Sequence, residues 1–562
     1  MTTPDTWHSH HLYLHSATED TDAFLVHGAA PLLDGLVAAG EAAGWFFIRY
    51  GEGGPHVRVR VRGLGAAAAA ALPGELARAA KAVPEVPGPW PSRHGEVRAV
   101  PYEPETGRYG GPRALPVAEE VFEASTRAAL DTLRALPAGG GTGARLTAAA
   151  DLAHTTVHAL GTDPLTAARW LRGHAAGWRW VTEVPLLPAA SVHTRVNTVY
   201  AAQRTGLGRR AGELRERLGA GTAAPRLLRW AAAVRGADER LRDLGEELRA
   251  WVWGSQLHML FNRLGITPDE ERAVCRLAAR TLLETEETEE APDYFPEGRT
   301  AADFRYLERS KFQIGRGEDS ELRDLPEGAG RAWTDRGWAA GPELALPAAP
   351  LPEVPLSAVL AARTSMRGRL RGPLDAETLG SLLWHSLAES ARTEQPDPEG
   401  GPPLTLSHRP YPSAGALYTA RVRLLVSDVA GVPAGTYDCL PERRALRPVG
   451  PAPAVADLKA LSTYLSRPDT APHWIGVDEA PAVLAVYADL GLLRRRYGLR
   501  ALRLALLEAG HLTQTLLLTG AALGLAGTPL GGFHDDLAHE LLGLDDLEQP
   551  LQYLLPLGRR TP

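Results

Sequence analysis

Near the start of the chain, hydrophobic positions alternate with polar ones, as they do in a β-strand that is buried on one face. The run HVRVRVR at 56–62 places valines on one side of such a strand and arginines on the other. The run WFFIRY at 45–50 is also rich in strand-forming residues, and the turn-forming segment GEGGP separates the two. This pattern predicts a β-hairpin over residues 44–62, with Arg58, Arg60 and Arg62 on one shared face.

Farther along, the pattern becomes helical from about Val117 and stops at Glu284 to Gly298, where the segment ETEETEEAPDYFPEG clusters acids, prolines and glycine. A second irregular stretch, Gly341 to Pro355, carries repeated prolines and is interpreted either as a segment that wraps the second domain or as a solvated linker. We predict an α+β fold with two domains, an α/β domain over 1–285 and an α+β domain over 357–562, joined by a linker and wrapping segment over 286–356.

Composition supports two globular domains and limits the classes of partner that we expect. A chain of 562 residues exceeds the size at which one core keeps growing, and its net charge of -7 gives no reason to expect nucleic acid as a partner. The two cysteines, Cys275 and Cys439, leave no room for a disulfide framework or a cysteine-rich metal site. The apolar stretch Leu504 to Leu525 is interrupted by Glu508 and His511. We therefore expect a cytoplasmic protein without a metal site or a membrane partner.

The arginine row of the predicted hairpin requires an explanation, because three like charges on one strand face repel one another. One interpretation is a solvated strand face. The other is a binding site for a carboxylate or phosphate, whose planar oxygen pairs match the guanidinium fork. His56, just before the row, is expected either to turn with this face or to cap the loop.

Two later blocks, YEPETGRYGG at 102–111 and QLHMLFNRLG at 256–265, favour the binding site. Together with the hairpin, and in this order, they resemble the glutamate-elimination domain of lantibiotic dehydratases and thiopeptide maturation enzymes over about residues 1–285. In that family a transfer-RNA-dependent partner glutamylates serine or threonine of a precursor peptide, and this domain removes the glutamate to leave a dehydroamino acid. The resemblance implies an active-site set of Arg58, Arg60, Arg108 and His258.

These residue types suit the implied elimination. Negative charge builds on the departing carboxylate and on the amide beside the reacting carbon, and cations at both places lower the barrier. The resemblance assigns Arg60 and Arg108 to the glutamyl group, with Arg58 in support, and His258 to proton transfer. A satisfied core histidine is the alternative for His258. Related domains that form a pyridine ring by cycloaddition have less need of such an arginine set, so elimination is favoured.

The second half of the chain carries glycine-rich blocks but no Rossmann fingerprint. The blocks resemble the FMN-dependent, nitroreductase-like azoline dehydrogenases over about residues 300–562. In that family the flavin lies at a homodimer interface and oxidises thiazoline or oxazoline rings of a precursor peptide to azoles. The blocks are SAVLAARTSMRGRL at 357–370, PSAGALY at 412–418, RRYGLR at 495–500, EAGHLTQ at 508–514, GLAGTPLGGF at 524–533 and the terminal LPLGRR.

This second resemblance also assigns site residues. Loss of a ring proton and hydride transfer to the flavin require a base beside the ring. The family's lysine-tyrosine pair is replaced here by Arg496 and Tyr497, so Tyr497 is the candidate for proton transfer and Arg496 is expected to tune it or to position the substrate. A tyrosine buried at the dimer interface is the alternative. The residues expected to hold FMN are Arg363, Ser365, Arg367 and Arg560 at the phosphate and ribityl side, Pro412, Ser413 and Gly415 along the ring system, and Gly531 and Gly532 near its N5 edge.

The combination of the two families resembles the lactazole-type bifunctional enzymes of thiopeptide biosynthesis. It predicts one enzyme that eliminates glutamate from glutamylated serine and oxidises azolines, with a precursor peptide, a second copy of the chain and other pathway enzymes as partners. Two alternatives stay open. The first is an NAD(P)H-dependent flavoenzyme of nitroreductase type whose front domain only binds peptide. The second is an eliminase whose redox half is inactive because of Arg496.

Overall fold

The computed structural model describes residues 6–137, 141–181, 184–283, 306–307, 310–311, 341–396 and 403–560. Internal contacts divide the chain into two compact units, Met1–Leu187 with Thr194–Glu286 and Pro188–His193 with Glu287–Pro562. The junction expected at 284–298 lies outside the described residues, as does most of the segment 286–340.

The first unit contains a four-stranded antiparallel sheet of strand order β2-β3-β1-β4. The predicted hairpin is confirmed, because β2 and β3 pair from Gly44 opposite Arg62 to Tyr50 opposite His56. The mostly helical structure expected from about Val117 is also confirmed for the described residues. The strands are β1 Trp7–Tyr13, β2 Gly44–Tyr50, β3 His56–Arg62 and β4 Val97–Ala99; the helices are α1 Thr18–Phe24, α2 Ala30–Ala38, α3 Ala66–Ala80, α4 Leu115–Ala135, α5 Gly141–Ala159, α6 Pro164–Gly177, α7 Ala189–Gly219, α8 Pro225–Arg240, α9 Glu246–Arg263 and α10 Pro268–Leu283.

One asparagine fixes α9 beside the sheet. Asn262 Nδ2 donates to the Arg49 carbonyl at 2.9 Å, and Asn262 Oδ1 accepts from the Arg49 backbone N–H at 2.8 Å. Arg49 lies on β2, an edge strand whose outward backbone groups lack a strand partner on that side. The asparagine therefore satisfies both exposed groups and holds α9 in a fixed register against the hairpin.

The second unit is built around a mixed sheet of strand order β12-β6-β15-β13-β9-β10-β11-β5, with β14 also paired to β15. Only the β12–β6 pairing on this path is parallel. The strands are β5 Leu344–Ala345, β6 Gly368–Arg371, β9 Ala420–Val426, β10 Gly435–Leu440, β11 Ala445–Gly450, β12 Ile475–Gly476, β13 Ala482–Ala488, β14 Ala526–Gly527 and β15 Leu551–Arg560; a separate hairpin pairs β7 Ala391–Gln395 with β8 Leu404–His408.

Helices cover this sheet, and the longest of them packs by its apolar stripe. Helix α15 spans Ala501–Ala522 and buries Ala505, Ala509, Leu512 and Leu516, which follow the spacing of one helical face. Both units thus combine helices with a sheet, and the predicted α+β fold class is confirmed. The other helices of this unit are α11 Leu356–Ala362, α12 Ala376–Leu387, α13 Val455–Ala460, α14 Leu490–Tyr497 and α16 Asp535–Leu542.

The proline-rich segment 341–355 lies against α12 of the second unit. Trp384 Nε1 donates to the Leu346 carbonyl at 2.8 Å, and the Ala349 N–H donates to Ser381 Oγ at 2.9 Å. A Cβ at Gly380 would stand 1.9 Å from the Pro347 carbonyl oxygen, so only glycine permits this approach. None of the helices in the part of the chain that the structure describes is long and apolar enough to cross a membrane.

Candidate active sites

The arginine row of β3 lies on one face of the first sheet. Strand register places Arg60 between Ser9 of β1 and Phe46 of β2, and it places Arg58 opposite His11 of β1. The valines that alternate with the arginines, Val57, Val59 and Val61, are buried on the other face. The alternation in the sequence therefore separates a cationic face from a core face, as predicted.

Arg58 is held by the residues around the hairpin turn. Its Nε donates to His56 Nε2 at 3.1 Å, and its guanidinium carbon lies 3.5 Å from the centre of the Tyr50 ring. Because arginine only donates, His56 Nε2 accepts, and Nδ1 of the same ring donates to the Gly54 carbonyl at 2.8 Å. Burial lowers the pKa of His56. His56 thus turns with the arginine face as a neutral support.

A second neutral histidine lines the same face. His11 stacks on His56 with ring centres 5.0 Å apart. Burial, followed by the nearby charge of Arg58, lowers the pKa of His11 to about 4. At neutral pH the positive charge of this face therefore comes from its arginines.

Arg60 joins the first sequence block to the second. Its guanidinium lies 4.6 Å from the centre of the Tyr102 ring and 5.4 Å from that of Phe46. Its Nε is buried and makes no hydrogen bond to any residue that the structure describes. Burial lowers the pKa of Arg60 and raises that of Tyr102. A buried donor without an acceptor is costly, and an anion on this face would supply the acceptor.

Arg108 joins the second block to Ser255, the residue immediately before the third block. Its Nε donates to Ser255 Oγ on α9 at 3.2 Å, and its Nη1 donates to Glu105 Oε2 at 3.0 Å. The Arg108 side chain is 38% exposed, so its guanidinium remains accessible to a ligand. The contact with Ser255 places Arg108 beside the helix that carries His258.

His258 lies three residues beyond Ser255 on α9, and its side chain is 20% exposed. Its Nδ1 is 2.8 Å from Glu271 Oε2. Glu271, on α10, is fully buried, and its other oxygen is 2.6 Å from His174 Nε2 and 3.3 Å from Trp178 Nε1. Burial alone would raise the pKa of Glu271, but the positive charge that His258 and His174 carry when protonated, together with their hydrogen bonds, outweighs it and holds the pKa well below its usual range.

The hydrogen bonds between Asn262 and Arg49 join the third sequence block to the hairpin directly. With the Arg60–Tyr102 contact and the bond from Arg108 to Ser255, they bring the three blocks of the first unit together. The residues that the sequence interpretation missed are those behind His258. Glu271 and His174 lie on α10 and α6, in helices with no local motif that marks them. Only the packing of three helices brings their side chains to His258.

In the second unit, a buried carboxylate organises the loop 412–418. Glu508 on α15 accepts hydrogen bonds from Ser413 Oγ at 2.7 Å, from the Ala420 N–H at 2.7 Å and from Thr419 Oγ1 at 3.3 Å. Ser413 Oγ in turn accepts from the Tyr418 N–H at 2.8 Å. Burial raises the pKa of Glu508. The serine thus has a fixed structural partner, while Pro412 beside it is exposed.

Tyr497 lies directly beside this loop. Gly415 has a φ of +60°, and a Cβ at this position would stand 2.5 Å from the Tyr497 hydroxyl oxygen. The next residue, Ala416, also has a positive φ, of 53°, which is uncommon outside glycine and concentrates at functional sites. Tyr497 is the last residue of α14, and it and the preceding Arg496 are both half-buried. The structure therefore brings the candidate proton-transfer residue to the loop predicted to line the flavin ring.

The basic segment 363–367 lies elsewhere on the sheet. Ser365 forms a parallel bridge with Gly527, and the next residue donates its backbone N–H to the Gly527 carbonyl at 3.3 Å. Strand β6 then pairs with the end of β15, where Leu370 lies opposite Arg560. Arg363 is half-buried and follows the carboxyl end of α11, while Ser365 and Arg367 are exposed. The helix dipole does not favour an anion at this end, so the side chains must supply the attraction.

Strand register separates this basic segment from the loop 412–418. The loop leads into Ala420 at the start of β9, which lies opposite Ala488, whereas Gly527 lies opposite Leu557 near the far end of β15. Along β13 these two positions correspond to Ala488 and Ala482, and six residues of strand span about 20 Å. Gly531 and Gly532 are exposed and lie between them, after Leu530, which pairs with Leu554. Within one chain, backbone pairing therefore places Ser365 beside Gly527 and Arg560 opposite Leu370, at the other end of the sheet from the loop that holds Pro412, Ser413 and Gly415.

The chemistry of these groups fits flavin mononucleotide. Arg363, Ser365 and Arg367 offer guanidinium and hydroxyl donors of the kind that bind phosphate. At Gly531 a Cβ would meet no atom closer than 4.0 Å, which leaves the backbone open to a flat ring system. Members of the nitroreductase family typically bind a flavin.

Comparison with known proteins identifies both regions of the chain. Residues 7–282 match the family model described as lantibiotic biosynthesis dehydratase C-term, and residues 360–559 match that of the nitroreductase family. The chain is 31% identical over 213 residues to "Putative nitroreductase MJ1384" of Methanocaldococcus jannaschii, covering 37% of this chain and 92% of that protein. It is 33% identical over 141 residues to the microcin B17-processing protein McbC of Escherichia coli, covering 24% of this chain and 49% of that protein.

Among solved structures, the pyridine synthase TbtD from thiomuracin biosynthesis is 22% identical and is matched over 50% of this chain and 98% of its own, with a TM-score of 0.38. At that score the likeness carries no conclusion about this chain. The two family models and the relative from Methanocaldococcus jannaschii do support a conclusion about the family of this chain. The chain belongs to the nitroreductase family through its second region, which follows a region that matches the lantibiotic dehydratase C-terminal model.

Proposed function

We propose that this enzyme matures a ribosomally made thiopeptide precursor in two reactions. The first region removes glutamate from glutamylated serine to leave dehydroalanine, and the second oxidises azolines to azoles with FMN. The two family matches support a role in the processing of ribosomal peptides, and McbC, a relative of the second region, is itself a peptide-processing protein. The cytoplasm, where such peptides are made, is the expected location.

The observation that carries the first reaction is the buried Arg60 Nε, which has no acceptor among the described residues. A glutamyl carboxylate on the arginine face would accept from Arg60 and from the accessible Arg108, with Arg58 in support. His258 would take the Cα proton. The electrons of that C–H bond then form the Cα=Cβ double bond, the Cβ–O bond breaks, and glutamate leaves as its carboxylate.

The second reaction is supported by the contact between Tyr497 and the loop 412–418. When bound, FMN supplies the hydride acceptor for the oxidation. In the proposal, Arg363, Ser365 and Arg367 hold its phosphate, and Tyr497 removes the ring proton of the azoline. Arg496 remains charged and cannot act as a base, so its proposed role is to favour the ionised form of its neighbour or to position the peptide.

A homodimer would complete the flavin site. Because the basic segment 363–367 and the loop 412–418 lie at different levels of the sheet, we propose that each FMN contacts the basic segment of one copy and the loop of the other. An exposed row of leucines on α11, on α15 and just before α15 supports a second copy as the occupant of that surface, since such residues are usually covered by a partner. The row comprises Leu356, Leu360, Leu499, Leu502, Leu506 and Leu507.

The direct test supplies the purified protein with a leader-bearing peptide that contains azolines and glutamylated serines. Mass spectrometry is expected to show the loss of two hydrogens per oxidised ring and the loss of one glutamate per serine. Loss of glutamate alone would reject the redox role, and oxidation alone would leave the first region as a peptide-binding module. If neither mass change occurs while NADPH rapidly bleaches the flavin, the protein is an ordinary nitroreductase-type enzyme and the proposal is wrong.

A further inference from the structure

We infer that Glu271 is a positioning residue for His258, and that His174 holds Glu271 from the opposite side. The inference rests on the proposed elimination and assigns roles to two residues that no sequence motif marks. In this arrangement a buried carboxylate fixes which nitrogen of the His258 ring carries a proton, and it stabilises the ring once the ring has become charged.

The geometry determines the protonated nitrogen of His258. An ionised carboxylate only accepts hydrogen bonds, so the 2.8 Å contact with Glu271 Oε2 requires a proton on His258 Nδ1. The other nitrogen, Nε2, is then free of a proton in the neutral ring and can accept one. Because the His258 side chain is 20% exposed and Glu271 is fully buried, a substrate can reach the imidazole but not the carboxylate.

The second oxygen of Glu271 is held as firmly as the first. His174 Nε2 lies 2.6 Å from Oε1, and Trp178 Nε1 donates to the same oxygen at 3.3 Å. The Trp178 ring also meets His258 edge-on, with ring centres 5.0 Å apart. The nearby Cys275 thiol stays neutral, because burial and the Glu271 charge raise its pKa well above the usual value. The carboxylate therefore cannot rotate without losing donors on both sides.

The partners of Glu271 distinguish it from other carboxylates of the same unit that are buried, such as Asp151, or half-buried, such as Asp22. Asp151 pairs with Arg210 through contacts of 2.6 and 2.8 Å, and Asp22 pairs with Arg49 and Arg145. An arginine keeps its charge throughout, which suits a structural ion pair. A histidine gains and loses a proton near neutral pH, so a carboxylate between two histidines suits a step in which charge appears and disappears.

During elimination the arrangement would act through His258. The Cα proton moves to His258 Nε2 as the Cβ–O bond breaks, and the ring becomes an imidazolium. Glu271 faces that new charge across the Nδ1–H hydrogen bond, as the aspartate of a serine-protease triad faces its histidine. Replacing Glu271 by glutamine removes the negative charge and allows the wrong nitrogen to carry the proton.

Three variants test this assignment. Glu271→Gln is expected to slow elimination by about 10²–10⁴-fold, the range that a positioned general base contributes, with a tautomer defect of the serine-protease kind at the upper end. His174→Gln keeps Glu271 and is expected to produce a smaller loss. Gly254→Ala is expected to produce a loss no larger than that of His174→Gln, because the added Cβ would stand 3.2 Å from His174 Nδ1 and shift that ring by a few tenths of an ångström. Asp151→Asn is the matched control, since it removes the charge of another buried carboxylate of the same unit, one that pairs with Arg210 rather than with His258.

Two measurements distinguish a positioning role of Glu271 from a role in stability alone. Nitrogen NMR of the imidazole rings, with the His258 signal identified by its loss in His258→Gln, is expected to show the Nδ1–H form in the unaltered protein and a shift toward Nε2–H in Glu271→Gln. The acid limb of the rate–pH profile is expected to move to lower pH in Glu271→Gln and to stay in place in Asp151→Asn. Unchanged NMR signals and pH profile in Glu271→Gln would overturn the inference.

The NMR readout also separates this inference from the proposed function. If the unaltered protein removes no glutamate but His258 carries its proton on Nδ1 only when Glu271 is present, the elimination is wrong and the positioning role stands. If elimination proceeds and the tautomer is independent of Glu271, the positioning role is wrong.

Discussion

Arg108 Nε donates a hydrogen bond to Ser255 Oγ at 3.2 Å, across 147 residues of sequence. This contact joins the loop 102–111 to α9, three residues before His258. The same helix therefore positions both the Arg108 guanidinium and the His258 imidazole. Ser255 is buried, whereas Arg108 remains accessible. The buried serine therefore holds the guanidinium in place, while the guanidinium stays accessible to solvent.

Ser255→Ala is expected to reduce glutamate elimination by about 10–100-fold, because a hydrogen bond to a charged group contributes about 1.5–3 kcal/mol and Arg108 would lose its fixed position. The rate of glutamate release from a glutamylated peptide measures the effect. Azoline oxidation in the second unit is the internal control and should not change. Equal rates of glutamate release in Ser255→Ala and in the unaltered protein would contradict a positioning role for the serine.

Tyr497→Phe is expected to keep bound flavin but to lose most azoline oxidation, since the substitution removes one hydroxyl and leaves the ring. Flavin absorbance and the loss of two hydrogens per ring are the two measurements. Tyr553→Phe, at a half-buried position on β15, is the matched control. Full oxidation by the Tyr497 variant would reject proton transfer by this residue.

The proposed homodimer can be tested by mixing two inactive variants. A copy with Arg363→Ala and Arg367→Ala has a defective phosphate site, and a copy with Tyr497→Phe has a defective ring site. If each flavin site combines one half from each copy, the mixed dimers contain one intact site, and the mixture should regain about a quarter of the wild-type oxidation rate. No recovery on mixing, with dimer exchange verified, would place both halves of the site in one chain.

A buried histidine predicts acid sensitivity of the first unit. Burial lowers the pKa of His154 from 6.5 to about 4, and its Nε2 is 3.0 Å from Thr281 Oγ1. Between these pH values the unfolded chain takes up a proton that the folded protein excludes, so the free energy of unfolding falls as the pH drops from 6.5 toward 4. The loss is about 3 kcal/mol.

Chemical denaturation at pH 7 and pH 4.5 measures this loss. His154→Gln is expected to be less stable at pH 7 but to lose less stability on acidification. An identical pH dependence in both proteins would show that another group is responsible.

The sequence interpretation was strongest where the signal is local. Strict alternation predicted the hairpin and its arginine face, because side chains on a strand point to opposite faces in turn. Glu271 and His174 escaped prediction, since only the packing of α6, α9 and α10 brings them to His258. Glu508 lay within a recognised block, but its bonds to Ser413 and Ala420 depend on how α15 crosses the start of β9.

The position of each predicted flavin-binding block along the strands of the sheet also could not be predicted from the sequence. Motif spacing gives no strand register, and the separation of the segment 363–367 from the loop 412–418 follows from the pairing of β9, β13 and β15. The roles of these residues remain predictions.

The most direct test of the central claim is the rate of glutamate release from a serine-glutamylated peptide by a variant with both Arg60→Ala and Arg108→Ala. Arg62→Ala is the matched control, because Arg62 lies on the same strand face but is paired with Glu123 at 3.0 Å. We expect the double variant to lose elimination while retaining flavin and azoline oxidation, and we expect Arg62→Ala to keep both activities. An undiminished rate of glutamate release in the folded double variant would contradict the assignment of this face as the elimination site.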